Sequence, residues 1–186
     1  AEGLDREVLS ILDLHSRVDV ASEDAARKRW SEYASSIVAP RSESVRVGIL
    51  GKYASLRDAY ASIEKSIEHA STHLAVKPEL HWVDVSEHEP KKLGSVLSDL
   101  DLNAIIVPGG FGDRGVEGKI ETIRFARESR VPFLGICLGF QMAVIEFARH
   151  KAGMPDAHST EFSLSATSVI SELPEQKAIE GLGGTM

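Results

Sequence analysis

Along the first forty residues apolar side chains recur every three or four positions, first Leu4, Val8, Ile11 and Leu12, then Ala26, Trp30, Tyr33 and Ile37. This is the spacing of two amphipathic helices. Ser22, followed by Glu23 and Asp24, reads as the N-cap of the second helix, with acidic groups at its positive end. The pattern breaks at APRSES, residues 39–44. Residues 1–44 are therefore expected to form a helical linker and 45–186 the main domain. Two helices without a sheet cannot bury both faces, so the linker must pack on the main domain or on a partner.

From Val45 the period changes. Runs with strand character, VRVGIL at 45–50, LHWVDV at 80–85, NAIIVP at 103–108 and VPFLGI at 131–136, are separated by stretches with helical spacing. The first of these carries Leu56, Tyr60, Ile63, Ile67, Ala70 and Leu74 on one stripe, which should face a sheet. The others are expected at about 91–100, 116–129 and 138–150. Strands apolar on both faces and separated by helices predict an α/β fold, a parallel sheet covered by helices on both sides. In such sheets reactive groups gather at the carboxyl ends of the strands. Two glycine-rich stretches lie there, PGGFGDRGVEG after the third strand and GICLG after the fourth. After Gly153 only one strand-like run stands out, near 165–170.

Composition narrows the classes. At 186 residues and 42% hydrophobic the chain can bury one sizeable core. With 28 acidic against 21 basic residues its net charge is −7, which argues against nucleic acid as a partner. A single cysteine excludes an internal disulfide, and no apolar run approaches the length of a membrane span. The expectation is a soluble, cytoplasmic protein that binds no membrane.

Cys137 stands in Gly135-Ile136-Cys137-Leu138-Gly139, on the seam between a predicted strand and a predicted helix. A lone cysteine is more often a small core residue. Glycines on both sides shift the balance towards a nucleophile on a tight strand-to-helix turn, where the start of a helix favours the thiolate. The Leu138 N–H then points where an oxyanion forms. PGGFG, residues 108–112, is a second candidate for backbone oxyanion donors, or an ordinary loop. Neither a phosphate-binding loop nor a dinucleotide fingerprint fits it. An acyl-transfer cysteine needs an imidazole base, yet His15, His69, His73, His81, His88, His150 and His158 present no evident catalytic context. No metal site is expected, since His69 and His73 lack further ligands nearby.

These motifs resemble the class I glutamine amidotransferase domain of the CTP synthase family, together with the linker before it. The elbow and the glycine loop are general to class I amidotransferases, a flavodoxin-like fold. The closer likeness rests on GKY at 51–53, DAYASI at 58–63, VPGGFGDRGVEG at 107–118, FLGICLGFQMAVIEFAR at 133–149, STEF at 159–162, PEQK at 174–177 and LGGTM at 182–186. The resemblance implies that Cys137 attacks the side-chain amide of glutamine, expelling ammonia and leaving a glutamyl thioester. It implies Gly110 and Leu138 as oxyanion donors, and Phe111, Gln141 and Glu161 as glutamine-binding residues. Arg114, Gly115, Val116, Glu117 and Gly118 correspond to a lid that responds to the activator GTP. Without the family, Gln141 would read as a polar helix residue, Glu161 as a loop carboxylate, and Arg114 with Glu117 as a surface ion pair.

The whole enzyme so implied aminates UTP to CTP with ATP and magnesium in a separate amidoligase domain. Its parent is expected to be a homotetramer, with no cofactor in the present domain. Two departures from the family qualify the picture. The catalytic His and Glu of an H-P-E motif are not among the 186 residues, and SLSATS at 163–168 differs from the expected segment. The chain is thus expected to be a domain truncated at its C-terminus, with weak or no activity alone. Rival readings are the glutaminase of another amidotransferase and a non-catalytic docking or assembly module.

Overall fold

The computed structural model describes residues 3–52 and 57–171. Two helices open it, α1 (Leu4–Ile11) and α2 (Val20–Val38), with a 3-10 turn at His15–Arg17 between them. The cap of α2 is Asp19, whose carboxylate accepts the Ala21 N–H at 3.1 Å. Ser22 therefore lies inside the first turn and is not the N-cap. Val20 and Ala21 begin the helix three residues earlier because an aspartate is available to satisfy its first free donors.

The main body follows as β1 (Ser44–Gly51), α3 (Ala61–His73), β2 (Lys77–Asp84), α4 (Pro90–Asp99), β3 (Ala104–Val107), α5 (Val116–Ser129), β4 (Phe133–Gly135) and α6 (Leu138–His150). A 3-10 turn at Arg57–Tyr60 leads into α3. The four strands form one parallel sheet in the order β2-β1-β3-β4. A small separate sheet pairs β5 (Ala157–Ser159) with β6 (Thr167–Ile170). The β5 strand was not expected; three residues are too short to show a period. Helices α5 and α6 begin and end at the expected residues.

Alternation along the strands sends two residue sets to opposite faces. Leu50, Ile105 and Val107 join Leu93, Leu97, Ile120, Ile123, Met142 and Ile145 in one continuous core under α4, α5 and α6. The other face carries Val47, Ile49 and Ile106, with Tyr60 stacked on Trp82 at a centroid distance of 5.8 Å. Helix α3 shields this face only in part. Ile63 and Ile67 are half-buried, but Leu74 and, on β4, Leu134 are exposed. An apolar groove of about 330 Å³ runs between α3 and β4, floored by Val45, Val47 and Ile106. Among the described residues, helices cover one face of the sheet completely and the other in part.

Arg41 ties the N-terminal helices to the body. Its guanidinium donates to the Ser36 and Ile37 carbonyls at the end of α2, and to Val76 O and Thr72 Oγ1 beside α3. On the closed face the strongest polar tie joins α5 to α6. Glu146 is buried, and accepts from Arg127 Nε and Nη2 at 2.7–3.1 Å, with His150 Nδ1 at 3.2 Å. Removing one partner of such a pair strands a buried charge. Arg127→Ala is expected to lower stability by about 3 kcal/mol, whereas Arg127→Leu combined with Glu146→Leu recovers most of it. Urea unfolding of the three proteins checks this, and additive losses would contradict it.

Candidate active site

The turn between β4 and α6 forms because two glycines permit it. A Cβ on Gly139 would strike the Val107 carbonyl of β3, and one on Gly135 would sit 2.8 Å from the Gly139 backbone. The chain therefore reverses with almost no clearance, and the residue in between absorbs the strain. Cys137 takes φ 52° and ψ −113°, a backbone setting rare for any residue with a side chain. Its thiol is exposed at the carboxyl edge of the sheet. The buried-core reading of Cys137 is thus excluded by position. Leu138 is the first residue of α6, so its N–H has no acceptor one turn back in its own helix.

The loop after β3 closes one side of the site. Gly109 packs against the cysteine, with 3.3 Å between its missing Cβ position and the Cys137 Cβ. The missing Cβ of Gly110 would lie 3.5 Å from Lys119 Nζ, 3.6 Å from Lys52 Cε and 4.0 Å from Leu138. Glycine here lets backbone approach a substrate and leaves space for two lysine side chains beneath. The β5 end closes the other side. Ser159 Oγ accepts the Glu161 N–H at 3.2 Å, and the Ser159 N–H is held by His158 Nδ1 at 2.9 Å.

These elements enclose a cleft of about 330 Å³, and Gly110, Phe111, Cys137, Leu138, Gln141 and Glu161 all line it. The expected nucleophile, oxyanion and substrate positions therefore converge on one cavity. Arg114 to Gly118 do not line it. Arg114 donates to the Lys52 carbonyl at 3.0 Å, and Glu117 takes a two-oxygen contact from Arg149 at 2.8–3.0 Å. Arg114 and Glu117 therefore engage different partners and do not form the surface pair that their spacing suggests. His158 stands 3.8 Å from Glu117; its pKa is lowered by burial and by Arg149, against the pull of Glu117. None of the seven histidines lines the cleft. Among the described residues no cluster of His, Cys, Asp and Glu has the makings of a metal site.

Two buried lysines were missed by the sequence reading. Lys52 is 6% exposed and Lys119 fully buried. The signal for Lys119 was its place on the apolar stripe Val116, Ile120, Ile123 of α5, where a lysine breaks the pattern. Its Nζ donates to the Pro108 carbonyl at 3.3 Å. Burial, then the charge of Lys52, pull its pKa from 10.5 to about 8, opposed by Cys137.

A strained, exposed cysteine on a strand-to-helix elbow, flanked by a glycine-rich strand-end loop on a parallel α/β sheet, is the arrangement in which a thiol can reach an acyl carbon. Comparison with known proteins makes the class specific. Residues 55–186 match the glutamine amidotransferase class-I family, and the chain belongs to that family. It is 47% identical over 186 residues to a CTP synthase of Carboxydothermus hydrogenoformans, covering all of this chain and 33% of that protein. It is 43% identical over 190 residues to a CTP synthase of Methanocaldococcus jannaschii, again covering all of this chain and 34% of the relative. The chain thus spans about a third of the length of the curated relatives it matches. Among solved structures it is similar to the glutaminase domain of Trypanosoma brucei CTPS with bound acivicin. The TM-score is 0.61 at 38% identity, over 66% of this chain and 47% of that one.

Lys119 makes stability depend on pH in a defined direction. Its folded pKa, about 8, lies below that of a free lysine, so the native state releases this proton first as pH rises. The unfolded chain then holds more protons, and stability grows from about pH 8 towards the unfolded pKa. Between about pH 7 and 9.5 the wild type should gain roughly 2 kcal/mol relative to Lys119→Met. Denaturant unfolding of both proteins at the two pH values measures it; parallel pH curves would refute the assignment.

Proposed function

We propose that this chain is the glutaminase part of a CTP synthase, releasing ammonia from glutamine through a thioester on Cys137. The observation that carries the reading is the strained elbow that holds an exposed thiol in one cleft with Gly110, Gln141 and Glu161. The family membership and the CTP synthase relatives over the whole chain favour it over a glutaminase serving another synthetase.

Glutamine enters with its ammonium towards Glu161, a charge-assisted contact, and its amide end over Cys137, with Phe111 and Gln141 along its length. The thiolate attacks the amide carbon. Charge collects on the amide oxygen, which the N–H groups of Gly110 and Leu138 stabilise. The C–N bond then breaks, the nitrogen leaves as ammonia with a proton drawn from solvent water, and a glutamyl thioester remains on sulfur. Water cleaves it to glutamate and regenerates the thiol. That last step needs a general base, and no imidazole of this chain reaches the cleft. The isolated chain is therefore read as competent to acylate and slow to turn over.

In the whole enzyme, ATP, magnesium and UTP belong to an amidoligase part, and the glutaminase part holds no cofactor. Residues 1–44 are the linker towards that part; exposed Leu4, Ile11, Val20, Trp30 and Val38 support a docking role for these helices. The Arg114–Gly118 segment is assigned to GTP response, and the parent to a cytoplasmic tetramer. Among the described residues no helix is long and apolar enough to cross a membrane.

Incubation with acivicin should add one mass to the intact chain at Cys137, and Cys137→Ala should add none. Glutamine itself should leave a slowly decaying adduct. A chain that ignores acivicin while its thiol reacts with simple alkylating agents would remove glutamine as the substrate. Fast turnover by the isolated chain, abolished in Cys137→Ala, would refute the slow deacylation.

A further inference from the structure

Lys119 has no part in the mechanism above, yet it occupies the ground beneath it. The side chain runs from α5 under the strand-end loop, and its only recorded hydrogen bond among the described residues goes to the Pro108 carbonyl. Among the described residues the groups that act on its charge are Lys52 and Cys137, with no carboxylate among them. A buried ammonium without a carboxylate partner is costly, and a methionine of similar length would fill the same space without that cost. A cost retained beside a reactive group points to a task there.

Its placement defines the task. The Pro108 oxygen belongs to the peptide plane from which Gly109 and Gly110 continue, so a bond from below fixes where that stretch of backbone starts. The ammonium stands 3.5 Å from the Cβ position that Gly110 lacks. Negative charge appears on the far side of this glycine, first on sulfur and then on the amide oxygen. In a low-dielectric setting a fixed cation behind that point acts strongly. Among the described residues the other charged groups around Cys137 are Lys52, under the same glycine, and Glu161 in the cleft; the first turn of α6 has no acidic residue.

We propose that Lys119 is a positioning residue for the Cys137 chemistry: from beneath the loop its ammonium fixes the Pro108 carbonyl and supplies the counter-charge for the anion that forms above Gly110. The inference rests on the reading of Cys137 as the thiol that attacks glutamine.

Because the chain has one cysteine, alkylation by iodoacetamide reports on Cys137 alone. The rate is measured against pH for wild type, Lys119→Met and Lys119→Gln, with folding followed by circular dichroism. The midpoint should rise by about half to one pH unit in both variants, the size of one lost nearby cation. Acivicin labelling should slow roughly tenfold in Lys119→Met, the loss of one charge-assisted hydrogen bond. It should slow less in Lys119→Gln, whose amide still donates to Pro108. If Lys119→Met does not fold, the glutamine variant carries the test. Midpoints and labelling rates equal to wild type in a folded variant overturn the proposal. A wild type that reacts with iodoacetamide but not with acivicin instead overturns the glutamine reading, and the midpoint comparison then still decides the counter-charge role.

Discussion

Everything in the site depends on how closely the first turn of α6 approaches the backbone of β3. Gly139 rests on the Val107 carbonyl with no room for a single carbon, and this contact fixes both the angle of α6 and the height of the cysteine above the sheet. The strain at Cys137, of order 1–3 kcal/mol, persists because α6 is held elsewhere. Met142 and Ile145 are fully buried in the core, and Glu146 is clamped by Arg127 of α5. The reactive residue is thus strained by a helix that other residues hold in place.

The charge plan of the site runs against that of the whole chain. The protein carries a net charge of −7, yet the floor beneath Cys137 holds two lysines and the amino end of a helix. Among the described residues the one acidic side chain in the cleft, Glu161, comes from the other wall. A zwitterion with a neutral amide tail suits this division. In the complex proposed above its ammonium would face the carboxylate, and its carbonyl the positive floor.

How much of this was legible in the sequence follows from how local each signal is. The α5 and α6 boundaries and the cysteine elbow were readable because helical period and flanking glycines are properties of short stretches. Convergence of Gly110, Gln141 and Glu161 was legible only through resemblance, since no spacing links a strand-end loop, a helix face and a later turn. The cap of α2 went to Asp19 and not Ser22 because two acceptors competed within three residues, and propensity does not rank them. The incomplete cover of the sheet was hidden for another reason. The stripe on α3 has the right period, but the sheet extends past its reach to β4, and Leu134 is left exposed. Lys119 was visible only as a flaw in an apolar pattern. Its meaning needed the loop that folds above it.

The strand order β2-β1-β3-β4 also dictates when reactivity appears in the life of the chain. Parallel neighbours close only after the crossover between them is made, so such sheets assemble slowly, through contacts distant in sequence. The strand that carries the cysteine turn, β4, pairs among the described residues with β3 alone, so its place depends on β3 being in the sheet. Until it docks, Val107 has no Gly139 to press against, and the thiol is an ordinary one on a mobile chain. The strained cysteine turn thus exists only where the finished sheet does.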